Sequence, residues 1–228
     1  MICRLLPLSD VAVQADCVNE TSTAQLAAAV RAARPAWLID VVPAYTSLAV
    51  LFDPAQTDVL AVQTWLHTQS ARPTATVVGS TWEIPCCYEQ GPDLDWVAQY
   101  TGLTPTEVVR WHTAQAFSVY AIGFCPGFAY LGYLPPALAG VPRLATPRTR
   151  VAPGSIGLTG RQTGVYPLPR PGGWPLIGHT PITLVDLATA YFPLRVGDRV
   201  RFRAVTAAEW AQISPRLQPL LAESARGE

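Results

Sequence analysis

The sequence predicts an α+β protein, with a ferredoxin-like N-terminal domain over residues 1–84 and a β-barrel domain over residues 85–228. Three observations lead there. Up to about Ile84, strand-like apolar runs alternate with two stretches of helical period, in the order β-α-β-β-α-β of a split βαβ fold. Near Pro85 that pattern gives way to two short, well-capped helices. From Phe117 onward, short apolar or aromatic runs are separated by Gly and Pro every few residues, the spacing of a rolled antiparallel sheet.

In order, Ile2 to Ala15 alternate loosely and read as one bent strand or a hairpin. Thr21 or Ser22 can cap a helix running to about Ala33, with Leu26, Ala29 and Val30 on its apolar face, and Arg34-Pro35 ends it. Trp37 to Val42 and Ser47 to Phe52 are strands. Asp53-Pro54 opens a second helix with Val59, Leu60, Val62, Trp65 and Leu66 on one face, and Ala75 to Ile84 returns as a strand. A helix then starts at Gly91-Pro92-Asp93 and stops at Thr101-Gly102. The next has a capping box in Thr104-Pro105-Thr106-Glu107 and runs to Trp111-His112. Phe117 to Ile122, Ser155 to Leu158, Val165 to Leu168, Leu176 to Ile177, Ile182 to Val185 and Arg199 to Phe202 are short strands. A polar tail follows Thr206, with a short helix around Ala208 to Gln212.

Composition removes several function classes. Half of the 228 residues are hydrophobic, enough for a full core. No run reaches the length of a membrane span, and MICRLLPLSD meets Asp10 too early for a signal peptide, so the expected location is the cytoplasm. The five cysteines include no C-x-x-C and no Cys/His metal spacing, and no metal site is expected. Every Lys/Arg position is arginine. The chain therefore has no Schiff-base lysine, no biotin-carrying lysine and no Walker A lysine.

Charge is distributed unevenly. The chain is formally neutral, yet Val108 to Val185 contains six arginines (Arg110, Arg143, Arg148, Arg150, Arg161 and Arg170) and no Asp or Glu. Such an island suits an anionic ligand or an acidic partner; the plainer reading is a set of solvated arginines. With no carboxylate there, general-base work falls to His112, to His179 or to another chain. Gln162, Thr163 and Tyr166 follow Gly160 in a Gly-rich turn and offer uncharged amide and hydroxyl groups for an amide-like substrate. Gly172 and Gly173 let backbone approach a ligand while Trp174 forms a wall, or the same triplet plugs a barrel corner. Cys125 as a thiol nucleophile is a weaker candidate than Cys125 as a small apolar residue. Arg148 follows Thr146-Pro147, so a restrained backbone presents its planar fork to a carboxylate, a phosphoryl group or an internal ion-pair partner.

The stretches GFCPGFAYLGYLP, PRLATPRTRV, GSIGLTGRQTGVYPL, PGGWPLIGHT and GDRVRF together resemble the family of the 5-oxoprolinase B subunit, also called allophanate hydrolase subunit 1, which includes Kip-type kinase inhibitors. The likeness is dense from His112 to Phe202 and thin over the first 80 or so residues. It implies a cyclophilin-like barrel after the ferredoxin-like domain, and a partner, the C subunit, with a related barrel. It also implies a third component, the A subunit, with ATP and Mg used by the assembled complex. Among the residues that match the family's core, Arg148, Gln162 and Tyr166 are expected to be catalytic, and His112, from its own chemistry, is the candidate acid or base. Gly154, Thr163, Gly173 and Trp174, also core matches, are expected to bind substrate together with Phe128, Arg143, Ser155, Gly160 and His179. The chain departs from the family at Cys125, in a shorter loop before Gly91, and in the reversed Ala-Pro order of Val151 to Ser155.

The resulting expectation is the B subunit of an ATP-dependent amidohydrolase that opens 5-oxoproline to glutamate, inactive by itself. A carboxyltransferase half of a urea-carboxylase or allophanate system, with biotin on another chain, is the enzyme alternative. A histidine-kinase inhibitor module is the non-enzyme alternative.

Overall fold

The computed structural model describes residues 2–70 and 79–217. The chain divides into two compact units, Met1–Val78 and Gly79–Glu228.

In the first unit, β1 (Ile2–Ser9) and β2 (Ala12–Cys17) are followed by α1 (Glu20–Ala33), β3 (Leu38–Ala44), β4 (Ser47–Phe52) and α2 (Val59–Ser70). The strands form one antiparallel sheet in the order β1-β2-β4-β3. Asn19 caps α1, its side chain accepting from Ser22 N, so the helix starts slightly earlier than a Thr21 or Ser22 cap would place it. α2 starts later than Asp53-Pro54, because Asp53 accepts from Ala55 N within a turn, while Asp58 accepts from Ala61 N at the true start. Leu60, expected on the buried face of α2, is 71% exposed. Val13, Val30, Leu48, Val50, Phe52 and Leu66 are central to the core between sheet and helices.

Half of the expected split βαβ arrangement is present: α1 joins β2 to β3, and β4 lies between them. The described part of the strand expected to complete it does not join this sheet. Its first part, Ala75 to Val78, lies outside the described residues, and Thr81–Cys86 forms β5 of the second unit. The sheet edge beside β2 is occupied by β1. The N-terminal stretch folds back through Asp10-Val11, and a two-residue hairpin closes with little loop entropy. Among the described residues the order is thus ββαββα rather than βαββαβ. The opposite edge, β3, is blunted: Asp40 takes the Val41 N–H at 2.7 Å, and Arg31 donates to the Val41 carbonyl at 2.8 Å.

In the second unit β5 (Thr81–Cys86) is followed by a 3₁₀ turn, Tyr88–Gln90, then α3 (Leu94–Thr101), α4 (Pro105–Thr113), β6 (Ala116–Ile122), β7 (Ala129–Gly132), β8 (Arg148–Val151), β9 (Ser155–Thr159) and β10 (Gln162–Val165). β11 (Arg170–Gly172), β12 (Leu176–His179), β13 (Arg199–Ala204) and α5 (Ala207–Trp210) complete it. Seven strands make one sheet, β12-β9-β10-β7-β6-β13-β5, and β8 pairs with β11 as a separate ribbon. β5 and β13 run parallel and the other pairs antiparallel. The two edges of the long sheet meet where Cys87, just past β5, exchanges both backbone hydrogen bonds with His179 of β12, at 2.9 and 3.0 Å. The result is a nearly closed, barrel-like sheet whose interior packs Phe117, Leu131, Ile156, Leu158, Ile177 and Phe202.

β5 is fastened to this unit by buried Asp198, which accepts from Ser80 N, Trp82 Nε1 and Arg195 N at 2.9–3.0 Å. One carboxylate thereby satisfies three donors and locks β5 to the turn before β13. Other expectations shift. The strand expected at Val165 to Leu168 is instead Gln162–Val165, hairpinned to β9 through Gly160 (φ +56) and Arg161. Ile182 to Val185 forms no strand beyond a single bridge at Thr183. β7, β8 and β11 have no counterpart among the strands expected from sequence.

Candidate functional site

A cavity of about 230 Å³ opens in the second unit, lined by Phe124, Phe128, Tyr130, Arg143, Pro147, Tyr166, Pro171, Gly172, Gly173 and Trp174. Four segments build it, one of them the loop before β8 that carries Arg143 and Pro147. β7 and the turn before it supply Phe124, Phe128 and Tyr130; Phe128 and Tyr130 are two apart and face the same way. The turn is tight, with Cys125 N bonded to Gly123 O and Phe128 N to Cys125 O, and it holds Phe124 at φ +65 with the residue 57% exposed at the mouth. The chain leaving β10 supplies Tyr166, whose backbone is fixed by Ser155 O and Gly154 N. The β8–β11 ribbon and the residues after it supply Gly172, Gly173 and Trp174.

The walls are aromatic and set edge to face. Phe128 is the hub, with ring centroids 5.4 Å from Tyr166, 5.5 Å from Trp174, 5.0 Å from Tyr130 and 5.5 Å from Phe124. This cluster is separate from the barrel core and includes Cys125, Val151 and Leu176. Arg143 is the lining cation, and no lining residue is a carboxylate. Burial raises the pKa of both Tyr130 and Tyr166, and in each case the nearby Arg143 charge opposes that rise. The Trp174 backbone N–H and Arg148 also hold Tyr166 down. Both phenols are therefore protonated near neutrality and can donate hydrogen bonds beside a fixed positive charge. A flat, compact molecule carrying a carboxylate and a second oxygen acceptor matches these walls and donors.

Of the residues singled out from sequence, Phe128, Arg143, Tyr166, Gly172, Gly173 and Trp174 come together here. The others serve elsewhere. Arg148 does not line the cavity: its Nη2 pairs with Asp93 Oδ1 at 2.8 Å, while Asp93 Oδ2 accepts from Leu176 N at 2.6 Å. Asp93 thus clamps the ribbon to β12, and Arg148 Nη1 is buried with no partner among the described residues. His112 is fully buried, stacked near Phe202 and Phe117, and its pKa is lowered to about 3 by desolvation. Its Nδ1 meets Tyr88 Oη at 2.6 Å and its Nε2 meets Thr163 Oγ1 at 2.9 Å. Both ring nitrogens are occupied inside the core, so His112 does not reach a ligand in the cavity as acid or base.

Gln162 pairs with Thr159 and Gly132 in the sheet. Ser155 is buried in β9. Gly154 (φ +84) is a close-approach glycine: a Cβ there would collide with Thr180 O and lie 2.8 Å from the His179 ring. His179 points its Nε2 at the Pro153 carbonyl, 2.8 Å away, and burial lowers its pKa. Gly160 is a hairpin turn residue. Cys125 is a buried thiol whose pKa is raised by burial against a nearby Arg170, unlike an activated nucleophile. Among the described residues no group of three or more His, Cys, Asp and Glu is placed to hold a metal. No helix of the described residues is long and apolar enough to cross a membrane.

Sequence reasoning missed Phe124, Tyr130, Pro147 and Pro171, while Gly172, read there as a point of close backbone approach, does line the cavity. The period of two through Phe128-Ala129-Tyr130 carried the signal for Tyr130.

Residues 4–193 match the family described as carboxyltransferase domain, subdomain C and D. The chain is 46% identical to the B subunit of 5-oxoprolinase from Escherichia coli O157:H7 over 141 residues, 60% of this chain and 62% of that protein. It is 47% identical to the B subunit of 5-oxoprolinase from Bacillus subtilis (strain 168) over 123 residues, 53% of this chain and 51% of that protein. The chain thus spans between about half and three-fifths of these relatives' length. Among solved structures, TTHA0988 aligns with a TM-score of 0.75 at 34% identity, covering 86% of this chain and 40% of that one. The conserved uncharacterized protein PH0987 from Pyrococcus horikoshii aligns at 38% identity with a TM-score of 0.53, covering 91% of this chain and 100% of its own. The urea carboxylase of Kluyveromyces lactis aligns with a TM-score of 0.68 at 17% identity over 93% of this chain and 24% of that one, a likeness of fold alone.

Proposed function

The chain belongs to the carboxyltransferase-domain family, subdomains C and D, and from that membership we propose that it is the B subunit of a 5-oxoprolinase-like, ATP-dependent amidohydrolase in the cytoplasm. The C and A subunits would complete the complex. The observation that carries this reading is the cavity: aromatic walls, two protonated phenols and Arg143, with no carboxylate among its lining residues. 5-Oxoproline is a small, nearly flat ring bearing a carboxylate and a lactam oxygen. Arg143 would hold the carboxylate, the Tyr130 and Tyr166 hydroxyls would orient the lactam, and the ring would pack against the joint wall that Phe128 and Trp174 form edge to face.

Lactam opening needs activation of a poor electrophile, and phosphorylation of the amide oxygen by ATP followed by attack of water supplies it. The cavity does not fit a magnesium nucleotide: it has no carboxylate to hold the ion, and the chain has no lysine. ATP handling is therefore assigned to the partner chains, and this chain's part is to bind and orient the substrate.

The test is reconstitution with the subunits encoded beside it, assayed with ATP plus either 5-oxoproline or urea. Glutamate release from 5-oxoproline, absent with this chain alone or with Arg143→Met, supports the reading. Turnover of urea instead, or full turnover by the purified single chain, overturns it.

A further inference from the structure

Of the two glycines that line the cavity, Gly172 is the one pressed against another lining side chain. Its backbone does not adopt a positive φ, so no turn requires glycine there. What requires it is proximity: a Cβ at this position would collide with the Tyr166 hydroxyl oxygen and lie 2.8 Å from two ring carbons. The neighbouring Gly173 differs, since a Cβ there would meet Pro147 at 3.5 Å, ordinary contact.

The backbone of Gly172 is itself held. It pairs with Arg148 across the β8–β11 ribbon, and Asp93 pins Arg148. Gly172 is thus pressed against the phenol by a clamped ribbon. The Trp174 backbone N–H two residues on opposes the rise that burial gives the phenol's pKa. The ring is fixed between Phe128 and Gly172 and Tyr166 lines the cavity, so its phenol proton can be donated to a ligand there.

We propose that Gly172 is a positioning residue that aims the Tyr166 hydroxyl into the cavity, making Tyr166 the donor that selects ligands with a second oxygen acceptor beyond the carboxylate held by Arg143. The ligand side of this proposal rests on the 5-oxoproline reading above; the geometric side does not.

The experiment uses the full chain and two probes. 5-Oxoproline and cyclopentanecarboxylate share a five-membered ring and a carboxylate, but only the first has the lactam oxygen. Calorimetric titration of the wild type should favour 5-oxoproline by roughly three- to tenfold, the worth of one neutral hydrogen bond. Tyr166→Phe and Gly172→Ala should each erase that preference while leaving cyclopentanecarboxylate binding nearly intact; Gly173→Ala should keep it. A ligand-free readout runs in parallel. The Tyr166 ζ-carbon resonance in ¹³C-tyrosine-labelled protein, assigned by its loss in Tyr166→Phe, should shift its ionisation midpoint upward in Gly172→Ala and not in Gly173→Ala. An unmoved Tyr166 resonance in folded Gly172→Ala overturns the positioning role, as does a retained preference in Tyr166→Phe. If neither probe binds the wild type but the resonance moves as stated, the positioning role stands and the 5-oxoproline reading fails. Should Gly172→Ala not fold, Gly172→Ala/Tyr166→Phe, which removes the atom in closest contact, should recover folding. Failure of that rescue also counts against the proposal.

Discussion

The Thr163 hydroxyl lies 2.9 Å from His112 Nε2 and 3.0 Å from the Gly157 carbonyl, and this fixes the tautomer of His112. The hydroxyl has one proton and gives it to the carbonyl, so its oxygen accepts and Nε2 carries hydrogen. Nδ1 is then the acceptor for Tyr88 O–H, 2.6 Å away. A directed chain from Tyr88 through His112 and Thr163 to Gly157 thus links the start of the second unit to β10 and β9. Its polarity requires a neutral imidazole, in agreement with the low pKa.

This network makes stability depend on pH in a stated direction. The folded pKa of His112 is about 3, against an unfolded value near 6.5. Above pH ~6.5 both states are neutral and the buried imidazole costs nothing extra. Between ~6.5 and 3 only the unfolded chain takes up the proton, so stability falls as pH falls, by at most about 1.4 kcal/mol per unit. Urea unfolding of His112→Gln across this window should lack that component. A wild-type slope no steeper than the variant's would place His112 in a solvated setting instead.

The Asp93–Arg148 pair predicts coupled losses of stability. Asp93→Ala removes the clamp on Leu176 N as well as the ion pair, and should cost about 1–3 kcal/mol. Arg148→Ala should cost less, since it leaves the Leu176 bond. The double variant should be less destabilised than the two singles added together. Additive losses in denaturant titrations would show that the two residues act independently.

Arg143 should behave oppositely. It is exposed and pairs with no acid among the described residues. Arg143→Met should leave the thermal midpoint within about 1–2 °C, a surface-type effect. It should weaken carboxylate binding by roughly tenfold or more, the worth of a charge-assisted hydrogen bond. Unchanged affinity would remove Arg143 from the site.

Phe128 is the hub of the aromatic cluster and only 2% exposed. Phe128→Ala should cost about 3–5 kcal/mol and collapse the cavity, whereas Phe128→Leu should retain most of the stability. Equal melting temperatures for the two variants would contradict the hub role.

Much of the fold was legible because its signals are local. Capping boxes, the Arg34-Pro35 stop, period-two runs and Gly-Pro punctuation act over a few residues, and α1, α3, α4, β4, β6 and β13 appear close to where those signals put them. The acid-free arginine island, the absence of lysine and the family motifs likewise need no tertiary contact to be read. They pointed to Arg143, Tyr166 and Trp174 before any geometry was known.

What only the tertiary structure decided are pairings between residues far apart in the chain. β5 has the composition of any strand; Asp198, more than a hundred residues away, assigns it to the second unit. Arg148 and Arg143 are chemically the same side chain on neighbouring segments. Asp93 turns one into a clamp and leaves the other facing the cavity. His112 and Tyr166 looked alike as candidates, yet one is sealed in the core and the other lines the pocket. Gly172 is indistinguishable from Gly173 in sequence, and only the approach of the Tyr166 ring separates them. Local patterning sets which element a residue joins, while the environment that sets its charge state and reach is built by contacts that sequence order does not record.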